Sequence, residues 1–102
     1  MKIPKSFKLG KDAYRIRLAP VVGTLRGRTH PVMRTIELST HYRGAPRVAI
    51  DIAETFWHET THCILYDMGH PLWSDEAFVT AFSKRLNQIV HTAILKETNG
   101  PA

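Results

Sequence analysis

The sequence predicts an α+β domain, with a small antiparallel or mixed sheet of three to four strands followed by two packed helices. In residues 1–46, short runs alternate apolar and polar side chains between Gly and Pro breaks, which is typical of strands. From residue 47 the apolar positions recur every three or four residues, which is typical of helices. A chain of 102 residues has room for one domain, which we assign to residues 1–102.

The predicted strands occupy the basic first half of the chain. They are residues 7–9, 14–18, 23–26 and 34–39. The first two form a hairpin around Gly10-Lys11-Asp12. Outside the hairpin, residues 34–39 show the clearest alternation of apolar and polar side chains. Residues 27–33 contain Gly and Pro and are expected to form a loop.

The first helix is predicted over residues 47–69, with Pro46 near its first turn and Gly69 as a left-handed cap. The second is predicted over residues 74–97, with Ser74 as its N-cap. An apolar stripe on the second helix is expected to face the core. It consists of Phe78, Ala81, Phe82, Leu86, Ile89, Val90, Ala93 and Ile94.

Composition limits the cellular setting. Cys63 is the one cysteine, so a disulfide within the chain is excluded and a reducing cytoplasm is expected. The start of the chain is basic but has no apolar stretch after it, so no signal peptide is expected. No apolar run approaches the roughly 18 residues that a membrane span needs, so no membrane partner is expected.

Charge is distributed unevenly along the chain. Residues 1–47 carry eleven Lys and Arg against Asp12 and Glu37, for a net charge of +9. Residues 48–102 carry three basic residues against seven acids, for a net charge of −4. Such asymmetry indicates a surface for nucleic acid. Because the basic residues alternate with apolar ones, a solvated strand face also explains them, and this interpretation is favoured over a nucleic-acid partner.

The first predicted helix carries a metal-binding pattern. His58 and His62 are separated by about 400° of helical rotation, so both imidazoles project from one face. Two ring nitrogens at that spacing can bind one Zn²⁺ at about 2.0–2.1 Å. The motif lies between Phe56-Trp57 and Cys63-Ile64-Leu65, where buried polar side chains need partners. This His-Glu-x-x-His spacing, which includes Glu59, is the signature of zinc peptidases, and two surface histidines are the alternative.

A third ligand is expected from the second helix, because catalytic zinc usually has three protein ligands. His62 lies seven residues before Gly69, and Glu76 lies seven after it. Two antiparallel helices around that turn would bring these side chains to similar heights. Glu76 is therefore the preferred ligand, and Asp75 and His70 remain alternatives.

The stretch from Ala53 to Phe82, which contains His-Glu-Thr-Thr-His and then Asp-Glu-Ala-Phe-Val-Thr-Ala-Phe, resembles the gluzincin branch of zinc metallopeptidases. It is most similar to the minimal versions called minigluzincins and to small phage-encoded proteins. The resemblance implies a minimal zincin-like domain whose sheet has an edge strand that pairs with an extended substrate, for which Thr35 to Ser39 is the candidate. Many larger gluzincins have an Asp four residues after the ligand Glu, where this chain has Thr80, so support for the histidines must come from elsewhere.

These observations predict a zinc-dependent peptidase of the cytoplasm, or of the host cytoplasm if phage-encoded, that acts on a protein or peptide substrate. Glu59 is the expected general base, which accepts a proton from the water that attacks the peptide carbonyl. The candidates to stabilise the oxyanion are Tyr42, Tyr66, His41 and His70. The alternative function is a non-catalytic zinc-containing binding module, associated with nucleic acid through the basic half.

Three further side chains have structural interpretations. Cys63 points about 100° away from His62 and is expected in the core. Trp57 and Trp73 are both expected to be core aromatics, although Trp73 is close to the predicted metal site in the sequence.

Overall fold

The computed structural model describes residues 1–93, which form a mixed sheet followed by two helices, and this confirms the predicted α+β fold. The strands are β1 (Ser6–Leu9), β2 (Asp12–Ala19), β3 (Gly27–His30) and β4 (Thr35–Ser39), and a separate hairpin is formed by β5 (His41–Tyr42) and β6 (Ala45–Pro46). The helices are α1 (Ala49–Asp67) and α2 (Glu76–Thr92), joined through a 3₁₀ turn at Pro71–Ser74. Residues 94–97 of the predicted second helix, with Ile94 of its stripe, lie outside the described residues. Neither α1 nor α2 combines the length and the apolarity that a membrane crossing requires.

The sheet has the strand order β1-β2-β4-β3, in which β2 and β4 run parallel and the other pairs run antiparallel. Strand β4 is therefore interior, and its Ile36 and Leu38 are fully buried. The expectation that Thr35–Ser39 forms the substrate-pairing edge is thus wrong. The edge beside β4 is β3, which lies in the segment expected to be a loop. The predicted strand at residues 23–26 is also wrong, because that segment is a turn closed by the bridge between Val22 and Leu25.

Gly27 is the reason that the sequence pattern predicts a loop where the structure has β3. A Cβ atom at Gly27 would lie 2.7 Å from Thr55 Cγ2 and 3.0 Å from the Glu37 carbonyl oxygen. The glycine therefore lets the edge strand pack closely on α1, which is a role that a strand glycine can have as well as a turn glycine. This close packing places β3 directly over the helix that carries the His-Glu-x-x-His motif.

The core lies between the sheet and α1. It consists of Tyr14, Ile16, Ile36, Leu38, Phe56 and Cys63. Phe7 from β1 extends this core, since its ring stacks on Tyr14 at 5.3 Å and meets Phe56 edge-on at 6.3 Å. One apolar face of α1 is therefore held against the sheet, and the neighbouring polar face is turned towards β3 and α2.

The start of α1 is fixed by a buried arginine. The helix begins at Ala49, two residues later than predicted, and Pro46 belongs to β6 instead. The Arg47 side chain is 2% exposed and donates to the carbonyl oxygen of Ser39 at 2.8 Å and to Asp51 at 2.8 Å. These contacts tie the end of β4 to the first turn of α1.

The predicted Gly69 cap of α1 is confirmed, although the helix ends at Asp67, two residues before the predicted bound, and the start of α2 is also shifted. Gly69 has a φ of 65°, the left-handed conformation expected of a helix cap. Helix α2 begins at Glu76, and its N-cap is Asp75, whose Oδ1 accepts from the Phe78 amide at 3.0 Å. Ser74 belongs to the 3₁₀ turn, so its predicted capping role is wrong.

Helix α2 does not turn its predicted apolar stripe towards the core. It buries Val79, Ser83 and Asn87, while Phe82 is 49% exposed and Ile89 is 62% exposed. Glu76 shares a helical face with Val79, Ser83 and Asn87 because these positions recur at intervals of three and four. Rotating α2 so that Glu76 meets the histidines of α1 therefore places small polar side chains, and not the stripe, against α1.

Candidate metal centre

The two histidines of the motif converge on α1. The Nε2 atoms of His58 and His62 lie 3.3 Å apart, and the ring centroids are separated by 5.0 Å. His62 is 8% exposed, and the His58 side chain is 23% exposed. The ligand atoms of His58, Glu59 and His62 all lie within 4.8 Å of one another. One turn of helix thus brings together three side chains of types that can bind a metal, and the convergence of His58 with His62 is as the sequence spacing predicts.

Glu76 of α2 meets both histidines. Its Oε1 lies 2.9 Å from His62 Nε2, and its Oε2 lies 3.1 Å from His58 Nε2. The alternatives are engaged elsewhere, since Asp75 caps α2 and His70 Nδ1 accepts from the Leu72 amide at 3.1 Å. The geometry therefore favours Glu76 over Asp75 and His70 as the third ligand.

The spacing of the two imidazoles and the carboxylate is close to that of ligands around one metal ion. Ligand atoms at about 2.0–2.1 Å from such an ion are separated from each other by about 3.3–3.4 Å. The Nε2 atoms of His58 and His62 are 3.3 Å apart, and they lie 3.1 and 2.9 Å from two different oxygens of Glu76, Oε2 and Oε1 respectively. These separations are slightly shorter than those around a bound ion, and a divalent cation would open them by a few tenths of an ångström.

The hydrogen bond on the far side of His62 supports the same conclusion. His62 Nδ1 lies 2.6 Å from the carbonyl oxygen of Trp73, which can only accept, so Nδ1 carries the proton. In the neutral ring Nε2 then holds a lone pair that points at the Glu76 carboxylate, and two acceptors face each other. A cation between them satisfies both. The Trp73 carbonyl also fixes the ring, which is the support that Thr80 does not supply.

Glu59 lies beside the ligands and is held by the edge strand. Its Oε1 accepts from Thr29 Oγ1 at 2.9 Å, and its Oε2 lies 3.9 Å from His58 Nε2. Glu59 is 7% exposed, and this burial raises the pKa of its carboxyl above the usual range, against the lowering effect of the Thr29 hydrogen bond and the two histidines. A raised carboxyl pKa suits a group that must accept and return a proton.

The candidate centre opens into a cleft of about 430 Å³ between β3 and the 3₁₀ turn. Residues along it include Leu25, Thr29, Pro31, Trp73 and Ser74. The expectation that Trp73 is a core aromatic is wrong, because it is 38% exposed and lines this cleft. Trp57 does pack against the core.

A second cleft of about 510 Å³ borders His58 and Glu59 on the other side and includes Tyr42. Among the four candidates for oxyanion stabilisation, Tyr42 is the one placed in a cleft with the motif. Tyr66 packs on Trp73 with ring centroids 5.2 Å apart, and His41 bonds to the Thr40 hydroxyl at 2.9 Å. The Arg26 guanidinium covers the ring of Tyr42 and lies 4.0 Å from its centroid.

Cys63 is excluded from the centre by its position. The side chain is fully buried in the core, and burial raises the pKa of the Cys63 thiol to about 12. It therefore remains a neutral thiol and packs as a small apolar side chain, as the sequence predicts.

No known protein family, curated protein or solved structure matches the chain. The chemistry of the centre is therefore argued from its own residues. Two of its members, Thr29 and the Trp73 carbonyl, are missing from the sequence prediction. Thr29 lies in the misassigned loop, and no sequence signal reports which backbone carbonyl a histidine will find.

Proposed function

We propose that the chain is a zinc-dependent peptidase of the gluzincin type, with His58, His62 and Glu76 as zinc ligands and Glu59 as the general base. The observation that carries this proposal is the convergence of two imidazoles and one carboxylate: the Nε2 atoms of His58 and His62 lie 3.3 Å apart, and each lies within 3.1 Å of one oxygen of Glu76, beside a buried Glu59 that is not needed as a fourth ligand. A structural zinc site usually has four protein ligands, whereas a catalytic site has three and an open position.

Each residue of the proposed site has a separate role in the reaction. Zinc in this position would supply the Lewis acidity that polarises a peptide carbonyl and acidifies a water molecule. Glu59 accepts the proton of the attacking water and returns it to the leaving amine. Thr29 keeps one carboxylate oxygen occupied, so the other is directed towards His58 and the reacting atoms. Tyr42 is the candidate to donate to the developing oxyanion.

Strand β3 is the proposed platform for the substrate. One of its sides pairs with β4, and no strand among residues 1–93 pairs with the other. An extended peptide can add to such an edge by main-chain hydrogen bonds. Because Thr29 of the same strand contacts Glu59, a peptide on this edge would pass directly over the general base.

The test uses Glu59→Gln, with cleavage of a degenerate peptide library followed by mass spectrometry and zinc measured on the same samples. The zinc-loaded parent should cleave peptides, and Glu59→Gln should retain zinc but lose about 10²–10⁴-fold in rate. Asp67→Asn is the matched control, because Asp67 lies exposed on the same helix away from the cleft.

Two outcomes would overturn the proposal. Cleavage by Glu59→Gln at the parent rate would remove the general base from the mechanism. A fully zinc-loaded parent that cleaves no member of the library would instead favour the non-catalytic binding module.

A further inference from the structure

The face of the sheet that points away from α1 carries exposed cations. Along β2, Tyr14 and Ile16 are buried, while Arg15 and Arg17 between and after them are exposed. Successive side chains of a strand alternate between faces, so both arginines lie on the outer face. Lys8 of β1 and Arg28 of β3 are exposed on the same face. We call this set of four residues the outer basic face.

One carboxylate lies among these cations. The strand register places Arg17 opposite Glu37 and Glu37 opposite Arg28, so the three side chains form one row across the sheet. Arg28 Nε donates to Glu37 Oε1 at 2.8 Å. Within residues 1–93, no carboxylate lies within salt-bridge distance of Lys8, Arg15 or Arg17. The face therefore keeps an excess of positive charge that its own acids do not neutralise.

Apart from Glu37 and His30, the side chains around the outer basic face are small. Ser6 and Thr35 pair with Arg15, Ala13 pairs with Lys8, and Ala19 ends the same strand. No aromatic ring of Phe, Tyr or Trp stands on this face in the described strands, because Phe7 and Tyr14 point to the core. A bulky polyanion can thus approach the strands closely and contact the guanidinium groups. Its bases would not stack on aromatic side chains of the described strands.

We propose that the outer basic face binds the phosphate backbone of duplex nucleic acid, independently of base sequence. Arginine matches phosphate geometry through its planar fork of donors. Single-stranded nucleic acid is usually held by stacking on aromatic side chains, which this face does not offer, so the duplex is the better fit. Lys8, Arg15 and Arg17 lie on the face of the sheet opposite α1 and the metal cleft, whereas Arg28 of the edge strand also borders that cleft. The proposal therefore rests on the cations of β1 and β2 and does not depend on the proposed peptidase activity.

The experiment is fluorescence anisotropy of a short labelled DNA duplex of mixed sequence, titrated with the full chain between about 50 and 200 mM salt. Four phosphate contacts predict a slope of about −3.6 for the logarithm of affinity against that of salt concentration. Affinity should then fall by roughly 150-fold over this range. The double variant Arg15→Gln/Arg17→Gln should reduce the slope to about −1.8.

Matched variants make the result specific. Lys84→Gln/Arg85→Gln removes the same charge from α2 and should leave the slope unchanged. Arg15→Lys/Arg17→Lys keeps the charge and should retain the slope, which separates lost charge from damage to the strand. Glu59→Gln should bind the duplex as the parent does.

The proposal is overturned if the duplex fails to bind at the lowest salt, or if the α2 double variant weakens binding as much as the β2 double variant. Preference for single-stranded DNA would also contradict it. Displacement of the duplex by an equal charge concentration of polyglutamate would point to an acidic protein partner and reject nucleic acid.

Discussion

Two carboxylates, Glu59 and Glu37, are both held by strand β3 but in opposite environments. Glu59 is 7% exposed on the inner side and accepts from Thr29, whereas Glu37 on the outer face accepts from Arg28 and His30, both at 2.8 Å. Burial raises the pKa of Glu59. The hydrogen bond from the Arg28 guanidinium, followed by that from His30, lowers the pKa of Glu37.

This difference shows that one strand can hold two carboxylates in opposite environments, one on each face of the sheet. Alternation sends Thr29 inward and its neighbours Arg28 and His30 outward. The inner carboxylate receives a neutral donor and stays ready to take a proton. The outer carboxylate receives hydrogen bonds from the Arg28 guanidinium and the His30 ring and stays ionised, so it compensates part of the positive outer face.

The largest expected effect comes from removing the apolar support under the inner face. Phe56 is 3% exposed and packs against Phe7 and Trp57. Phe56→Ala should lower the free energy of unfolding by about 3–5 kcal/mol, because it removes a buried ring and leaves a cavity. Phe82→Ala, on the exposed stripe of α2, should cost less than about 1 kcal/mol. Urea denaturation measures both, and equal losses would contradict the assignment of the core to the α1 side.

The next effect tests the inner face through the proposed zinc site. Zinc at about a hundred times its dissociation constant should raise the free energy of unfolding by about 2.7 kcal/mol. His62→Ala should abolish this rise, because it removes a ligand whose ring is fixed by the Trp73 carbonyl. His91→Ala, which changes an exposed histidine on α2, should retain it. Thermal unfolding with and without zinc gives the comparison, and stabilisation of His62→Ala equal to the parent would rule out the ligand role.

The sequence was sufficient for the features that local spacing determines. The α+β order, the hairpin of β1 and β2, the Gly69 cap and the convergence of His58 with His62 all follow from periods of two, three or four residues. It was insufficient where tertiary contacts decide. Gly27 reads as a turn until Thr55 is found 2.7 Å from where its Cβ would be.

Helix α2 shows the same limit more clearly. The apolar stripe predicts that α2 is rotated about its axis so that the stripe faces the core. The contact of Glu76 with the two histidines requires a different rotation. The observed rotation buries Ser83 and Asn87 and exposes Phe82. Hydrophobic periodicity alone does not predict a polar contact that a single side chain makes with another helix. The position of Glu76 beside the two histidines follows from the turn at Gly69 and not from the stripe.

A smaller effect is expected from the contact that joins β3 to Glu59. Thr29→Val removes the hydroxyl that donates to Glu59 Oε1 and keeps the shape of the side chain. A hydrogen bond to a charged group contributes about 1.5–3 kcal/mol, so the rate of peptide cleavage should fall by roughly 10- to 150-fold. Thr29→Ser restores the hydroxyl and should recover most of the rate, while zinc content stays constant in both. Equal loss in Val and Ser variants would show that Thr29 acts only by packing.

The smallest effect distinguishes Glu37 from Glu59 by pH. Because the folded-state pKa of Glu37 is lowered, its contribution to stability is present above the unfolded pKa of about 4.3 and is lost as pH falls through the folded value. Arg28 is 47% exposed, so the contribution should not exceed about 1 kcal/mol. Glu37→Gln should therefore be less stable than the parent at about pH 7 and equal to it at about pH 3.

Glu54→Gln is the control for this pH test, because Glu54 forms no salt bridge within residues 1–93 and its change should leave the pH profile unaltered. Chemical denaturation in low salt measures the difference at each pH, since screening would otherwise hide an exposed ion pair. A deficit of Glu37→Gln that is the same at both pH values would mean that the side chain acts by packing and not by charge. The contrast between the two carboxylates would then reduce to burial alone, and Glu37 would not act as a counter-charge to the outer basic face.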